Sequence, residues 1–155
     1  MTTRFRQKDE SLEQYEESLG LPAFEFAENE VKRFLTLPFS ALKKLDYEQC
    51  AEGVFVLEQF GFHLQRAVNR EQSRIRWATE SIDKMISGRL HQQPGFKFEE
   101  RKLQAIRGDD AAQKLDAIRM EHQLKLDRIL YVSNRVESVA KALTGLRQAK
   151  YGSRQ

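Results

Sequence analysis

The sequence predicts an all-α protein built on two long amphipathic helices that pair as an antiparallel hairpin. Short N-terminal helices precede the hairpin, which assembles into an oligomeric helical bundle. Segments at about 47–86 and 111–150 carry apolar side chains at heptad spacing. Only three prolines and eight glycines occur in 155 residues, and no segment alternates like a strand. Because one hairpin leaves apolar surface exposed, we expect oligomerisation.

Residues 1–38 are predicted to form an acidic N-terminal segment with short helices. The first helix is expected from Asp9 to Leu19, where a glycine follows and stops it. The second is expected over residues 23–36, and it ends before Pro38 because the residue preceding a proline disfavours helical geometry.

The net charge of +3 is distributed unevenly along the chain. Residues 1–30 carry three Lys or Arg against eight Asp or Glu, whereas residues 31–155 carry 23 against 15. An acidic leader on a basic body suits a polyanion-binding protein whose leader contacts a basic partner or covers the site. Residues 39–155 are therefore predicted to form the DNA-binding and oligomerisation domain.

The first long helix has recognisable ends. Either Ser40 or Asp46 is expected to cap its start, and Asp46 with Gln49 three residues later resembles a capping box. Ser87-Gly88 is expected to end it.

The connector is expected to turn at Pro94-Gly95 and to contain a brief helix over residues 98–107. Asp109 or Asp110 then caps the second long helix, because a carboxylate accepts the unpaired N–H groups of a helix start.

Small and polar residues interrupt the apolar seams of both helices. Gly53 and Gly61 weaken the first helix locally, and they permit a neighbouring helix to approach closely. Three seam positions are polar: Glu71, His122 and Lys125. If the helices pair about their midpoints, Glu71 lies near Lys125 and helps to set the register, the alternative being a solvent-exposed gap in the seam.

The outer face of the first long helix carries arginine and aromatic residues. Phe62, Arg66, Arg70, Arg74 and Trp77 fall within an arc of about 120°, with His63 and Ser73 also inside it. Arg76 lies about 40° outside this arc and is grouped with it. We call this set the arginine stripe: Phe62, Arg66, Arg70, Arg74, Arg76 and Trp77. Guanidinium groups bind phosphates and aromatic rings stack on bases, so the stripe predicts single-stranded DNA binding. The arginines would neutralise phosphates, while Trp77 and Phe62 stack. The alternative is a solvated face whose aromatic residues pack against another subunit.

Catalytic and metal-binding patterns are missing from the sequence. No phosphate-binding glycine loop occurs, and the three histidines lie far apart. The lone Cys50 lies in the apolar seam and suggests a buried thiol in a reducing compartment. No long apolar segment or signal peptide is apparent. We therefore expect a cytoplasmic protein, in the host cytoplasm if phage-encoded, that is not an enzyme and uses no membrane, metal or cofactor.

Three short motifs give the chain a family resemblance: Leu45-Asp46-Tyr47-Glu48, Arg74-Ile75-Arg76-Trp77 and Asp109-Asp110. Over about residues 42–150 the pattern resembles the UvsY-type recombination mediators of tailed phages. The resemblance implies an all-helical oligomer that helps to load a RecA-like recombinase onto single-stranded DNA, with the recombinase and a single-strand-binding protein as partners.

The chain also departs from that family pattern. The family's basic motif is usually followed directly by an aromatic pair and Ser-Gly. Here Ala78-Thr79-Glu80 follows the motif, and Ser87-Gly88 arrives ten residues late.

An apolar set on the second long helix predicts the oligomer contact: Val132, Val136, Val139, Leu143 and Leu146. The set is longer than one partner hairpin would cover evenly. The alternative function is a structural or scaffolding helical oligomer of phage assembly with no nucleic-acid role.

Overall fold

The computed structural model describes residue 14 and residues 28–152, which are helical throughout apart from short turns. The described part of the chain contains no strand, which confirms the all-α prediction. Its elements, in chain order, are α1 (Glu28–Thr36), α2 (Phe39–Leu42), α3 (Tyr47–Ile86), a 3-10 turn (Ser87–Gln92), α4 (Phe98–Arg107) and α5 (Asp110–Gly152).

The observed helix limits follow the local sequence signals closely. Helix α3 spans 40 residues and α5 spans 43, within two residues of the predicted ends. The helix predicted from Asp9 to Leu19 lies outside the described residues. The short helix α2 is additional, and it begins after Pro38, whose extended backbone serves as the N-cap.

The capping box at the start of α3 is confirmed. The Asp46 N–H donates to Gln49 Oε1 at 3.0 Å, and the Gln49 N–H donates to Asp46 Oδ1 at 2.8 Å. Two backbone donors at the helix start are therefore satisfied reciprocally. Ser40, the other predicted cap, lies within α2 instead.

Of the two aspartates predicted as possible caps of α5, Asp109 is the cap. Its Oδ1 accepts hydrogen bonds from the N–H groups of Ala112 and Ala111, both at 3.0 Å. These donors and the Arg89 guanidinium stabilise the carboxylate and hold the pKa of Asp109 below its ordinary value of 3.8. Asp110 is the first residue of the helix itself.

The chain divides into two compact units by its internal contacts. Unit 1 comprises the described residues up to Ala67 together with those from Ile129 onward, and unit 2 is Val68–Arg128. Each long helix contributes a segment to both units. This division follows packing, whereas the predicted ranges 1–38 and 39–155 follow the charge pattern.

The core of unit 1 brings α1, α3 and α5 together. Its buried members include Val31, Phe34, Cys50, Leu57 and Leu143, and all of these except Val31 are fully enclosed. Burial raises the pKa of the Cys50 thiol, which favours its neutral form. The predicted buried position of Cys50 is confirmed.

Gly53 lies at the closest approach in this core. A Cβ atom at Gly53 would lie 2.7 Å from Phe34 Cε1 and 2.8 Å from Leu143 Cδ1. At Gly61, by contrast, a Cβ atom would have no neighbour within 4 Å. The predicted close approach therefore occurs at Gly53 and not at Gly61.

A lysine near the C-terminal end of α5 ties it to the start of α3. Lys150 Nζ donates to the Lys43 carbonyl oxygen at 3.0 Å and also to the carbonyl oxygen of Leu45. These carbonyls belong to the turn between α2 and α3. The ammonium thus satisfies backbone acceptors that the helices leave unpaired.

Unit 2 has its own, smaller core. The last two turns of α3 contribute Ile82 and Ile86, α4 contributes Ile106, and α5 contributes Leu115. Trp77 packs against this cluster while partly buried. Two ion pairs support it: Lys102 Nζ lies 2.6 Å from Asp83 Oδ1, and Arg89 Nη1 lies 3.0 Å from Asp109 Oδ2.

Gly53→Ala should destabilise the protein by about 1–3 kcal/mol, because the added methyl overpacks against Phe34 and Leu143. Gly61→Ala should stabilise it by up to about 1 kcal/mol, since it gains helix propensity without a clash. Urea unfolding followed by circular dichroism measures both. Equal effects at the two positions would contradict the close packing at Gly53.

The variant Asp109→Asn removes the capping carboxylate. Its free energy of unfolding should therefore depend less on pH in the acidic range than that of the wild type. Because the folded-state pKa is lowered, the wild-type carboxylate stabilises the fold fully above pH 3.8, and this contribution is lost as pH falls through the folded pKa. The stability difference between wild type and variant should therefore be present at neutral pH and shrink below 3.8. A difference that is constant across a denaturation series in pH would refute this role.

Candidate nucleic-acid interface

In unit 1 the arginine stripe is represented by Phe62 and Arg66. Phe62 is 63% exposed although it is a large apolar residue, and Arg66 is partly exposed. The ring of His63 stacks on that of Phe60, with centroids 6.1 Å apart and an interplanar angle of 15°. An aromatic and cationic surface is therefore present on this segment of α3.

In unit 2 the stripe continues with arginines in different environments. Arg76 is exposed and forms no ion pair with any described residue, whereas Arg70 is partly buried. Ser73, also on this face, is exposed and its Oγ donates to the Asn69 carbonyl oxygen at 2.9 Å. Within unit 2, Arg76 is thus well placed to meet an anion from solvent.

Arg74 pairs with a buried carboxylate of its own helix. Its Nη1 lies 2.7 Å from Glu71 Oε1, and its side chain is only 22% exposed. Its charge is therefore largely balanced within the protein. The expectation that all four arginines act equally as phosphate ligands takes no account of this pair.

Glu71 also binds a histidine of α5. His122 Nδ1 lies 2.6 Å from Glu71 Oε2, and these two side chains are 12% and 9% exposed. The predicted proximity of Glu71 to Lys125 is wrong, because Lys125 pairs with Glu121 on its own helix at 2.6 Å. The helices of unit 2 pack in a register that places the histidine, one turn earlier, opposite Glu71. The alternative of an exposed gap is also wrong, since Glu71 is buried.

Trp77 serves the core as well as the surface. Its side chain packs against the unit 2 cluster, yet part of it stays accessible to solvent. An indole held by packing loses little conformational freedom when a base stacks on it. This geometry is compatible with stacking. The sequence pattern alone did not indicate that Trp77 also packs against the core of its own chain.

Three residues of the predicted oligomer contact are buried within one chain. Val136, Val139 and Leu143 are 3%, 4% and 0% exposed in the unit 1 core, and Leu146 packs partly buried against it. Helix α1 and α3 cover them, so they offer no exposed apolar surface to a second subunit. Val132 differs, because it is 36% exposed.

The sequence interpretation missed several exposed aromatic residues. Phe55 is 61% exposed and precedes Phe62 by one heptad, a spacing that places it on the same side of α3. Phe96, Phe98 and Tyr131 are also more than half exposed. The heptad relation could have revealed Phe55, whereas only the structure distinguishes the others from core residues.

Other kinds of site find little support in the described residues. No group of three or more His, Cys, Asp or Glu side chains there is arranged to hold a metal ion. A cleft of about 190 Å³ in unit 2 has both apolar and charged lining residues, and its cations Lys102 and Arg119 are paired with Asp83 and Asp116. None of the described helices combines the length and apolar character that crossing a membrane requires.

His122→Ala should destabilise the protein by about 1–3 kcal/mol, because it removes a hydrogen-bond partner from the buried Glu71 carboxylate. Lys125→Ala is the matched control and should change stability by less than about 1 kcal/mol, since its ion pair is exposed. Chemical denaturation compares the two. A larger loss for Lys125→Ala would mean that Glu71 is satisfied through a different register.

Comparisons with known proteins were made at the level of families, sequences and folds. No protein-family model matches the chain, and no curated protein or solved structure is significantly similar to it. The resemblance to the UvsY-type mediators stays a prediction from sequence pattern. The geometry of the described residues is therefore the basis for the functional proposal.

Proposed function

We propose that this protein binds single-stranded DNA and acts as an accessory factor of recombination or replication, in the manner of a mediator that helps to load a RecA-like recombinase. It performs no chemistry of its own. Arginine side chains on α3 neutralise phosphates, and neighbouring aromatic rings stack on bases. The proposal places contacts in both units and requires no fixed placement of one unit on the other, because a single strand is flexible.

The observation that carries this proposal is the environment of Arg76 and Trp77. Arg76 is exposed with no ion pair among the described residues, and its neighbour Trp77 is held against the core while partly accessible. A solvated guanidinium and a fixed indole at consecutive sequence positions, about 100° apart around the helix, supply charge and stacking. Arg66 and Arg70 add partly exposed cations, while Arg74 contributes less because Glu71 balances its charge.

The assembly that we propose is a homo-oligomer of antiparallel helical hairpins that repeats this surface along a strand. Repetition increases affinity through avidity. Since Val136, Val139 and Leu143 are buried within one chain, the subunit contact involves exposed apolar residues such as Val132 and Tyr131. The recombinase and a single-strand-binding protein are the proposed partners, and the acidic residues within 1–30 are a candidate docking segment.

One observation favours the alternative of a scaffolding helical oligomer without nucleic acid. The Arg74–Glu71 pair shows an arginine of the stripe bound to an acidic neighbour. If the remaining stripe arginines pair in the same way with acidic groups of adjacent subunits, the stripe would be an assembly surface. DNA binding and its salt dependence distinguish the two functions.

The test is binding of fluorescent oligo-dT to the full chain across a salt series. Each phosphate contact on a single strand contributes about −0.7 to the slope of log K against log salt. Contacts from Arg66, Arg70 and Arg76 predict a slope near −2 for one protomer, steeper when several engage. No binding at ~50 mM salt would refute the proposed function and favour the scaffold.

Arg76→Ala should weaken binding and reduce the magnitude of the slope by about 0.7, because one phosphate contact is lost. Arg74→Ala should change the slope less but lower stability, since its charge is already balanced by Glu71. Arg135→Ala, which removes an exposed arginine from α5, controls for net charge. Equal loss of slope in Arg135→Ala and Arg76→Ala would show that binding is not localised to the stripe.

A further inference from the structure

The connector between α3 and α5 presents two exposed aromatic rings in unit 2. Phe96 is 103% exposed and Phe98 is 53% exposed. Phenylalanine is normally buried, so full exposure of Phe96 needs a reason. Neither residue belongs to the arginine stripe.

The turn that carries Phe96 is fixed by specific contacts. Gly95 has φ +136, a conformation that L side chains rarely adopt, and a Cβ atom there would lie 3.0 Å from Glu100 Cβ. Glu100 Oε2 accepts hydrogen bonds from the N–H groups of Phe96 at 3.2 Å and Lys97 at 3.5 Å. The Arg101 N–H donates to the Lys97 carbonyl oxygen at 3.2 Å. The ring of Phe96 is therefore presented by an ordered turn.

Ion pairs on either side hold this turn on the unit 2 core. Lys102 of α4 pairs with Asp83 near the end of α3, and Arg89 of the 3-10 turn pairs with the cap residue Asp109. Ordering these side chains in advance lowers the entropy that a ligand must overcome on binding. The elements on either side of the exposed ring are thus linked by ion pairs to the two long helices.

The charges around the turn favour an anionic ligand. Lys97 lies between the two phenylalanines in sequence and is exposed without an ion pair to described residues. The nearby acid Glu100 is occupied by backbone donors, which leaves Glu99 as the exposed acid of the first turn of α4. Lys97 therefore places an exposed cation between the two aromatic residues in sequence.

The exposed apolar residues do not form a continuous face. Phe98 and Leu103 are both exposed on α4, but five residues correspond to about 140° around a helix. A groove for an apolar partner helix needs a continuous stripe. Separate aromatic rings with neighbouring cations match the way in which proteins hold single strands.

We propose that the Phe96–Phe98 turn is a second contact site for single-stranded nucleic acid, in addition to the arginine stripe. Bases stack on the rings of Phe96 and Phe98, and Lys97 binds the intervening phosphate. This inference rests on the proposed function and extends it. A strand that contacts both the turn and the stripe is bound more tightly than either site alone would hold it.

The experiment compares oligo-dT binding by wild type, the double variant Phe96→Ala with Phe98→Ala, and the control Leu103→Ala. Loss of stacking should raise Kd by about fivefold to 150-fold for each ring that stacks on a base, with little change in the salt slope, because stacking releases no counterions. Leu103→Ala removes a 47% exposed apolar side chain from α4, the helix that carries Phe98, and should bind like wild type. Denaturation should show that the double variant stays folded, since both rings are exposed.

The possible failures are distinguishable. If wild type binds and the double variant binds equally well, the second contact is refuted while the proposed function stands. If wild type does not bind at ~50 mM salt, the proposed function fails and this inference with it. If the double variant keeps its DNA affinity but loses self-association in light scattering, the turn is a protein contact and the proposal is overturned.

Photocrosslinking provides an independent readout that does not depend on affinity. Oligonucleotides with 5-bromodeoxyuridine crosslink to aromatic side chains on which the base stacks. Mass spectrometry should find the crosslink on Phe96 or Phe98 of the wild-type protein. Crosslinks confined to α3 would overturn the second contact.

Discussion

The structure depends on the burial of the apolar face of each long helix, because helices of this kind gain most of their stability from packing. In unit 1 this burial requires close contact at Gly53, where Phe34 and Leu143 occupy the space that a side chain would fill. The contact orients α3 so that Leu57 faces inward and Phe62 stays exposed. The surface available to a ligand is thus a consequence of how the core closes.

Buried charge has a comparable effect in unit 2. An ionised carboxylate removed from water is unfavourable unless donors surround it, and Glu71 has donors in both Arg74 and His122. This network removes one arginine from the set that can meet an external anion. Arg76, two residues after Arg74 on α3, lies outside that network and is exposed. The internal need for charge balance therefore limits which arginines could meet an external anion.

The two proposed contact sites would bind a single strand through the same two interactions, base stacking and attraction to phosphate. Each combines an aromatic ring held in place with cations that stay solvated. At Trp77 the ring is fixed by packing against the core, and at Phe96 it is fixed by an ordered turn. Stacking on such rings is tolerant of base identity, while the cations add attraction that salt screens. Binding without strong sequence preference is what a protein that coats arbitrary single strands requires.

Local signals in the sequence were sufficient for the two long helices and their ends, although not for the short helix α2. Heptad spacing located α3 and α5, and the Asp46–Gln49 box and the aspartates before α5 placed their starts, because capping involves residues only a few positions apart. The stripe was also visible, since residues on one face of a helix recur at fixed intervals.

Only the tertiary structure decided what lies opposite each of these residues. It paired Glu71 with His122 instead of Lys125, distinguished Gly53 from Gly61, and buried Val136, Val139 and Leu143 within one chain. It also showed Phe96 to be exposed. These outcomes depend on helix register and on contacts between residues far apart in sequence, and a shift of one turn changes every partner while leaving the local pattern intact.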